Sequence, residues 1–188
     1  MLPSVQEIAA ALQGAIRLAR LDAGGLACFD RSLRGFWRSF FAAVIAAPAR
    51  LFLLAATQEV PADIDTTRAV VVETISYVIQ WLAFPVAMLL VVDLLKRRER
   101  FFDYLVAYNW STIPQIILLV FVTLVGAALP DPLGQALLAF AQISILVYGW
   151  FVAKVGLAVT GPTAVTLVML DLVLTVAISL VTGALLIA

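Results

Sequence analysis

Four charged residues stand inside long apolar runs of this 188-residue chain: Arg50, Glu73, Lys154 and Asp171. An ionisable group near the middle of a bilayer costs about 2.5–3.5 kcal/mol on insertion scales, so it needs a partner or a hydrated cavity. Such groups could relay a proton, attract a cation or tie helices together. Arg50 and Glu73 are equally far from the centre of the segment joining their two runs. An antiparallel hairpin brings them to one depth, which favours a structural ion pair near the outer interface over a proton or cation relay. Lys154 and Asp171 flank the turn between the last two runs, with Asp171 about four residues deeper, roughly 6 Å at 1.5 Å per residue. A lysine side chain can cover that offset or snorkel outward to the interface instead.

Uncharged polar residues extend the pattern. At 100° per residue, Thr175, Ser179 and Thr182 share a narrow sector with Asp171. Glu73, Ser76, Tyr77 and Gln80 form a second stripe, and Asn109 and Thr112 stand at a depth similar to Asp93. Together they could line a hydrated path through Gln80, Asn109, Thr175 and Ser179. The plainer reading is interhelical glue, worth about 0.6 kcal/mol per hydrogen bond on average. Gly149, Ala153 and Gly156 make a small-residue face that suits an internal packing seam or a self-association seam.

Much other chemistry is excluded. With no histidine and a single cysteine, Cys28, the chain has no imidazole base, no thiolate metal cage and no internal disulfide. No cofactor is expected and no catalysis, because Asp93 and Asp171 are at unmatched depths and Asp93 reads as a solvated helix-end carboxylate. Cys28 reads as an inert thiol. A net charge of +0 argues against a nucleic-acid partner.

The elements that carry these residues are helices. The chain is 64% hydrophobic and only 13% charged, against roughly a quarter charged in soluble domains. A crossing helix needs about 20 apolar residues, and continuous rather than alternating runs exclude barrel strands. The reading is an all-α polytopic bundle with spans at about 35–56, 69–95, 104–129, 136–158 and 163–188. Pro48, Pro85 and Pro114 fall inside spans and should kink them. The apolar stretch begins too far from the N-terminus for a signal peptide, and no internal repeat of the transporter kind is evident.

Residues 1–34 form a mixed polar segment. Ser4 and Glu7 fit a capping box, Val5, Ile8, Leu12, Ile16 and Ala19 recur at helical spacing, and Gly24 and Gly25 supply a stop. This predicts an amphipathic surface helix with Arg17 and Arg20 near lipid phosphates, or alternatively a helix packed on the bundle. Basic residues cluster before the first span and at Lys96, Arg97, Arg98 and Arg100, whereas Glu59, Asp63 and Asp65 face the other side. The positive-inside rule then puts the N-terminus in the cytoplasm and the C-terminus outside. The Ala- and Leu-rich, Arg-over-Lys composition suggests a bacterial inner membrane.

The segment Tyr104-Leu-Val-Ala-Tyr-Asn-Trp110 and the segment Trp150-Phe-Val-Ala-Lys154 are similar to segments of bacterial Yip1-like proteins. With five spans and a cytoplasmic amphipathic N-terminus, residues 35–188 resemble that family, although its eukaryotic Asp-Leu-Tyr-Gly-Pro motif is missing. The resemblance implies an accessory membrane protein rather than an enzyme. The leading expectation is a scaffold that acts through helix contacts and through basic residues Arg17, Arg20, Lys96, Arg97, Arg98 and Arg100, which meet lipid or partner proteins. The alternative is a small transporter or channel with a polar intramembrane path.

Overall fold

The structure, a computed structural model, describes residues 2–57 and 65–187. These form seven α-helices: α1 (Val5–Ala19), α2 (Leu33–Ser39), α3 (Phe41–Thr57), α4 (Thr66–Leu94), α5 (Phe101–Gly126), α6 (Asp131–Gly156) and α7 (Gly161–Ile187). Five stretches are long and apolar enough to cross a membrane, with α2 and α3 making the first together. The bundle is all-α, as the continuous apolar runs require. Of the acidic loop, Glu59 and Asp63 lie outside the described residues, while Asp65 caps α4 by accepting the Arg68 backbone N–H at 2.9 Å.

The first span is interrupted where α2 meets α3, at Phe40. Ser39 sits there, its hydroxyl donating back to the Phe36 carbonyl at 2.7 Å. That bond competes with the helical ladder at the interruption. Pro48, Pro85 and Pro114 each lie inside an unbroken helix.

Helix α1 opens with the expected capping box: Ser4 accepts the Glu7 N–H at 3.2 Å and Glu7 accepts the Ser4 N–H at 2.6 Å. Its end is not made by glycine. The chain reverses at Leu21, in the left-handed region at φ 59°, and Asp22 caps a short 3-10 turn, Ala23–Cys28. Gly24 and Gly25 belong to that turn, and Gly25 is there for closeness. A Cβ on Gly14 would stand 2.8 Å from the Gly25 carbonyl oxygen, and one on Gly25 would stand 2.6 Å from that of Gly14.

Helix α1 packs against α5 and α6 and its own 3-10 turn, burying Ala11, Gly14, Ala15 and Leu18, with Gly14 against that turn. The Tyr148 hydroxyl donates to the Ala15 carbonyl at 2.7 Å and stands 2.9 Å from Ser111 Oγ, joining α1, α5 and α6 at one atom. The stripe of large apolar residues points elsewhere: Val5 is 81% exposed, Ile16 is 46% exposed, and Ile8 and Leu12 are only partly covered. Of the two placements open in the sequence, the bundle therefore takes the small face. The larger apolar stripe is covered only in part, at Ile8 and Leu12.

Around this helix, carboxylates sit below their ordinary values: Glu7 chiefly through the Ser4 backbone N–H, Asp22 through the Arg17 guanidinium, and Asp30 through the Ser32 hydroxyl. Groups with a depressed folded-state pKa stabilise the fold above the unfolded value and cease to as pH falls through the folded value. Thermal unfolding of the solubilised chain should therefore be flat from about pH 5 to 7 and its midpoint should fall below about pH 4, the ordinary carboxylate range. Glu7→Gln should show a shallower acid limb than the parent.

Helix α5 is the hub, packing against α1, α2, α3, α4 and α6. The end of the bundle that carries Arg31, Arg34 and the Lys96–Arg100 cluster, here the basic end, is densely filled. Phe84, Met88, Val92, Leu105, Val106 and Val152 are all essentially inaccessible there. Gly156 lets α6 ride directly on α5, since a Cβ would meet the Tyr104 Cα at 3.0 Å. Packing of this kind, rather than the hydrophobic effect, is what holds helices together in lipid.

The far end is looser. Gly126 and Gly134 bring α5 and α6 together there. Helices α4 and α7 are stitched by Arg68, which donates twice to the Leu185 carbonyl at 2.7 and 3.1 Å, and by Ser76 with Thr182 at 2.6 Å. Helix α3 packs on α5, α5 on α6, α6 on α7 and α7 on α4, while among the described residues α3 and α4, neighbours in sequence, are linked by side chains more than by close backbone packing.

Candidate functional site

Polar residues from all five spans meet in one cleft of about 630 Å³ in the far half of the bundle. Gln80 on α4, Gln142 on α6 and Thr175 on α7 lie near the middles of their helices and form its inner end. Ser179, Thr123 on α5 and Thr57 on α3 lead toward the far ends. Arg50 and Glu73 stand in its wall. The cleft is large enough for a small-molecule ligand, whose pockets run about 300–1,000 Å³.

Arg50 and Glu73 meet as the depth argument expects, Nη2 to Oε2 at 3.8 Å, with both side chains mostly covered. The second expected pair does not form. Lys154 is exposed and stands over the Trp150 ring, 5.0 Å from its centroid, while the Trp150 indole N–H donates to the Gly161 carbonyl at 3.0 Å. Asp171 instead accepts a hydrogen bond from the Tyr108 hydroxyl at 2.8 Å. Lysine has an alternative in the aromatic face at the α6–α7 turn, and the carboxylate finds a neutral donor at its own depth.

Of the four residues expected to line a path, Gln80, Thr175 and Ser179 do share the cleft. Asn109 does not. It is fully buried near the basic end, where its Nδ2 donates to Ser39 Oγ at 2.8 Å and its Oδ1 has no protein partner among the described residues. Beneath the cleft, Phe84 packs against Tyr108 and Tyr104 with centroids 4.6 and 6.1 Å apart, and Tyr104 and Tyr108 are 6.0 Å apart. With the Tyr108–Asp171 bond, these rings tie α4, α5 and α7 together on the basic side of the bundle.

Thr57, Thr123 and Gln142 are cleft residues that sequence reasoning missed. Gln142 carried a usable signal, because an amide deep inside an apolar run seeks a polar partner or water. Neither a family model nor any curated protein or solved structure matches the chain. The geometry is therefore what speaks to function.

The basic residues are largely engaged within the chain. Arg17 pairs with Asp22 at 2.7 Å and Arg38 with Glu7, while Arg98 reaches Asp93 at 3.6 Å. Arg31 and Arg100 share Asp103 at 3.3 and 3.2 Å. Arg20 and Lys96 are exposed, and Arg97 is partly covered. The small-residue face is internal: Ala153 and Gly156 are buried, and a Cβ on Gly149 would stand 3.7 Å from Val168 of α7. Among the described residues no cluster of potential ligands could hold a metal ion.

Proposed function

We propose that the chain is a non-enzymatic membrane protein that takes a small solute into an outward-facing cleft, as a carrier or a ligand-binding subunit. The observation that supports it is the convergence of polar side chains from five spans on one cleft. Glue requires pairs, and Ser76 with Thr182 is such a pair. Thr175 and Ser179 are instead exposed along the cleft wall, where a hydrated or ligand-filled space is the economical explanation. The positive-inside rule sets the basic end in the cytoplasm, of a bacterial inner membrane by composition, so that the cleft opens outward. The aromatic group of Phe84, Tyr104 and Tyr108 then lies on the cytoplasmic side of the bundle.

The accessory-scaffold reading draws on Arg20, Lys96 and Arg97, with the Yip1-like resemblance in its favour. Intramolecular ion pairs of the other basic side chains leave it fewer charges for a partner.

Thiol labelling tests the cleft. In a Cys28→Ser background, Ser179→Cys should react with a membrane-impermeant maleimide added to right-side-out vesicles, and Asn109→Cys should stay silent. A silent Ser179→Cys would mean that water does not reach the cleft, and the carrier reading would fall. Reaction from the cytoplasmic face alone would overturn the orientation.

A further inference from the structure

Helix α1 divides its circumference among several neighbours. Ala11, Ala15 and Leu18 are buried against the bundle, and Gly14 faces the 3-10 turn. Val5, Ala9, Leu12, Ile16 and Ala19 fall within an arc of about 80° at 3.6 residues per turn. All but Leu12 are exposed. Gln6, Gln13 and Arg20, also exposed, hold the sector between that arc and the turn. The one carboxylate of the helix, Glu7, is engaged by Ser4 and Arg38, so the outward sectors carry no negative charge. Depth follows from the anchors. Ala15 is held by Tyr148, eight residues in from the basic end of α6 at Gly156. Tyr148 in turn reaches Ser111, ten residues in from the start of α5 at Phe101. At 1.5 Å per residue these levels are about 12 and 15 Å below the basic end. Helix α5, with 26 residues, is about 39 Å long, against a hydrocarbon core of about 30 Å. With the excess shared between its two ends, Ala15 stands about 8–10 Å inside the apolar layer.

We propose that α1 is an in-plane membrane helix, its Val5, Ala9 and Ile16 stripe set among acyl chains of the leaflet at the basic end and Arg20 reaching that leaflet's phosphates. This surface lies apart from the cleft and does not depend on it. Two observations select lipid as the occupant. The stripe sits at a level where acyl chains surround the bundle, and it continues the exposed apolar flanks of the spanning helices. Its rim, made of two amides and a guanidinium, suits phosphate and ester oxygens. Arginine also snorkels, laying its stem along apolar surface while the charged head reaches water. Helices of this kind lie about 5–10 Å into the boundary between headgroups and acyl chains, in keeping with the level at which Tyr148 holds Ala15. At the other end of α1, Glu7 pairs with Arg38, whose neighbour Trp37 is 65% exposed, as an indole at the interface would be. The small face of α1 thus belongs to the bundle and the large apolar face to the leaflet.

Spin labelling of the full chain in phospholipid vesicles tests this. In a Cys28→Ser background, nitroxides are attached at Val5→Cys, Ala9→Cys, Ile16→Cys and Gln13→Cys, all at exposed positions where a label leaves the packing intact. Each is exposed to oxygen, which partitions into lipid, and to a nickel chelate, which stays in water. Labels at positions 5, 9 and 16 should collide more with oxygen than with nickel and report depths of about 5–10 Å below the phosphates. The label at position 13, on the polar rim, should shift toward nickel. Nickel-dominated collisions at positions 5, 9 and 16 would set the stripe in water and overturn the proposal. Protection from both reagents would mean that protein covers the stripe, a second copy included, and would overturn it as well. Labelling of Ser179→Cys reads the cleft separately, so either reading can fail while the other stands.

Discussion

Gly14→Leu should pry the 3-10 turn Ala23–Cys28 off α1 while the five spanning helices stay folded. A Cβ at this position would meet the Gly25 carbonyl oxygen at 2.8 Å, the Cys28 Cβ at 2.9 Å and the Phe29 ring at 2.9 Å. One of those obstacles is backbone and another is fixed to it, so a larger side chain cannot be absorbed by a rotamer change. Overpacking of this sort costs about 1–3 kcal/mol, enough to shift a docking equilibrium by about ten-fold or more. The chain carries its own reporter, since Cys28 is its one thiol and sits against Gly14. Maleimide labelling of Cys28 should accelerate at least about ten-fold, in line with that shift. Ile16→Ala, at an exposed position of the apolar stripe, should leave the rate alone. Unchanged labelling in Gly14→Leu would show that docking of the turn on α1 does not depend on the Gly14–Gly25 contact.

Gly156→Leu should be harsher, because it strikes the main seam of the bundle. Here a Cβ would stand 3.0 Å from the Tyr104 Cα and 3.1 Å from its ring. Separating α6 from α5 at that point also disturbs Tyr108, and with it the hydrogen bond to Asp171. We expect loss of at least about 3 kcal/mol, at the upper end of overpacking effects, seen as an aggregated rather than monodisperse peak in size-exclusion chromatography. Gly149→Ala, on the same stripe, should be tolerated within about 0.5 kcal/mol, because its new Cβ would meet Val168 at an ordinary 3.7 Å. A self-association seam would penalise both substitutions alike. Equal sensitivity, coupled to loss of a dimer, would move the stripe from the interior to an interface.

The five spans were legible because continuous apolar runs have one solution in lipid, and the turns at Lys96–Arg100 and Pro130 punctuate them. The meeting of Arg50 with Glu73 was legible too, from depth arithmetic across a hairpin. The same arithmetic failed for Lys154 and Asp171. Depth says which residues are level but not which neutral donor is nearer, and the Tyr108 hydroxyl has no charge to advertise itself. The docking of α1 was only half legible. Small residues at Ala11, Gly14 and Ala15 allow close approach, but the large apolar stripe beside them dominates any amphipathic reading. Cleft residues Thr57 and Thr123 were hidden because a threonine in a spanning helix commonly bonds its own backbone. Thr57 does so, donating to the Leu53 carbonyl at 2.8 Å.

The scant backbone packing between α3 and α4 bears on how the chain is assembled as it is made. Among the described residues, α3 and α4 are joined by the Arg50–Glu73 ion pair and the Tyr77–Ala43 hydrogen bond rather than by close backbone packing. The most extensive seam, α5 with α6, joins helices that are consecutive in the chain and so meet at low entropic cost. That pair is the natural nucleus, and α3 finds its place only once α5 has been synthesised. Helix α1 waits longest, because its anchor at Tyr148 lies 133 residues downstream of Ala15. Until Tyr148 is made, α1 has only its own 3-10 turn and α5 to pack on. Slowed elongation before residue 148 would prolong that window, and chaperone contacts made by α1 belong to it.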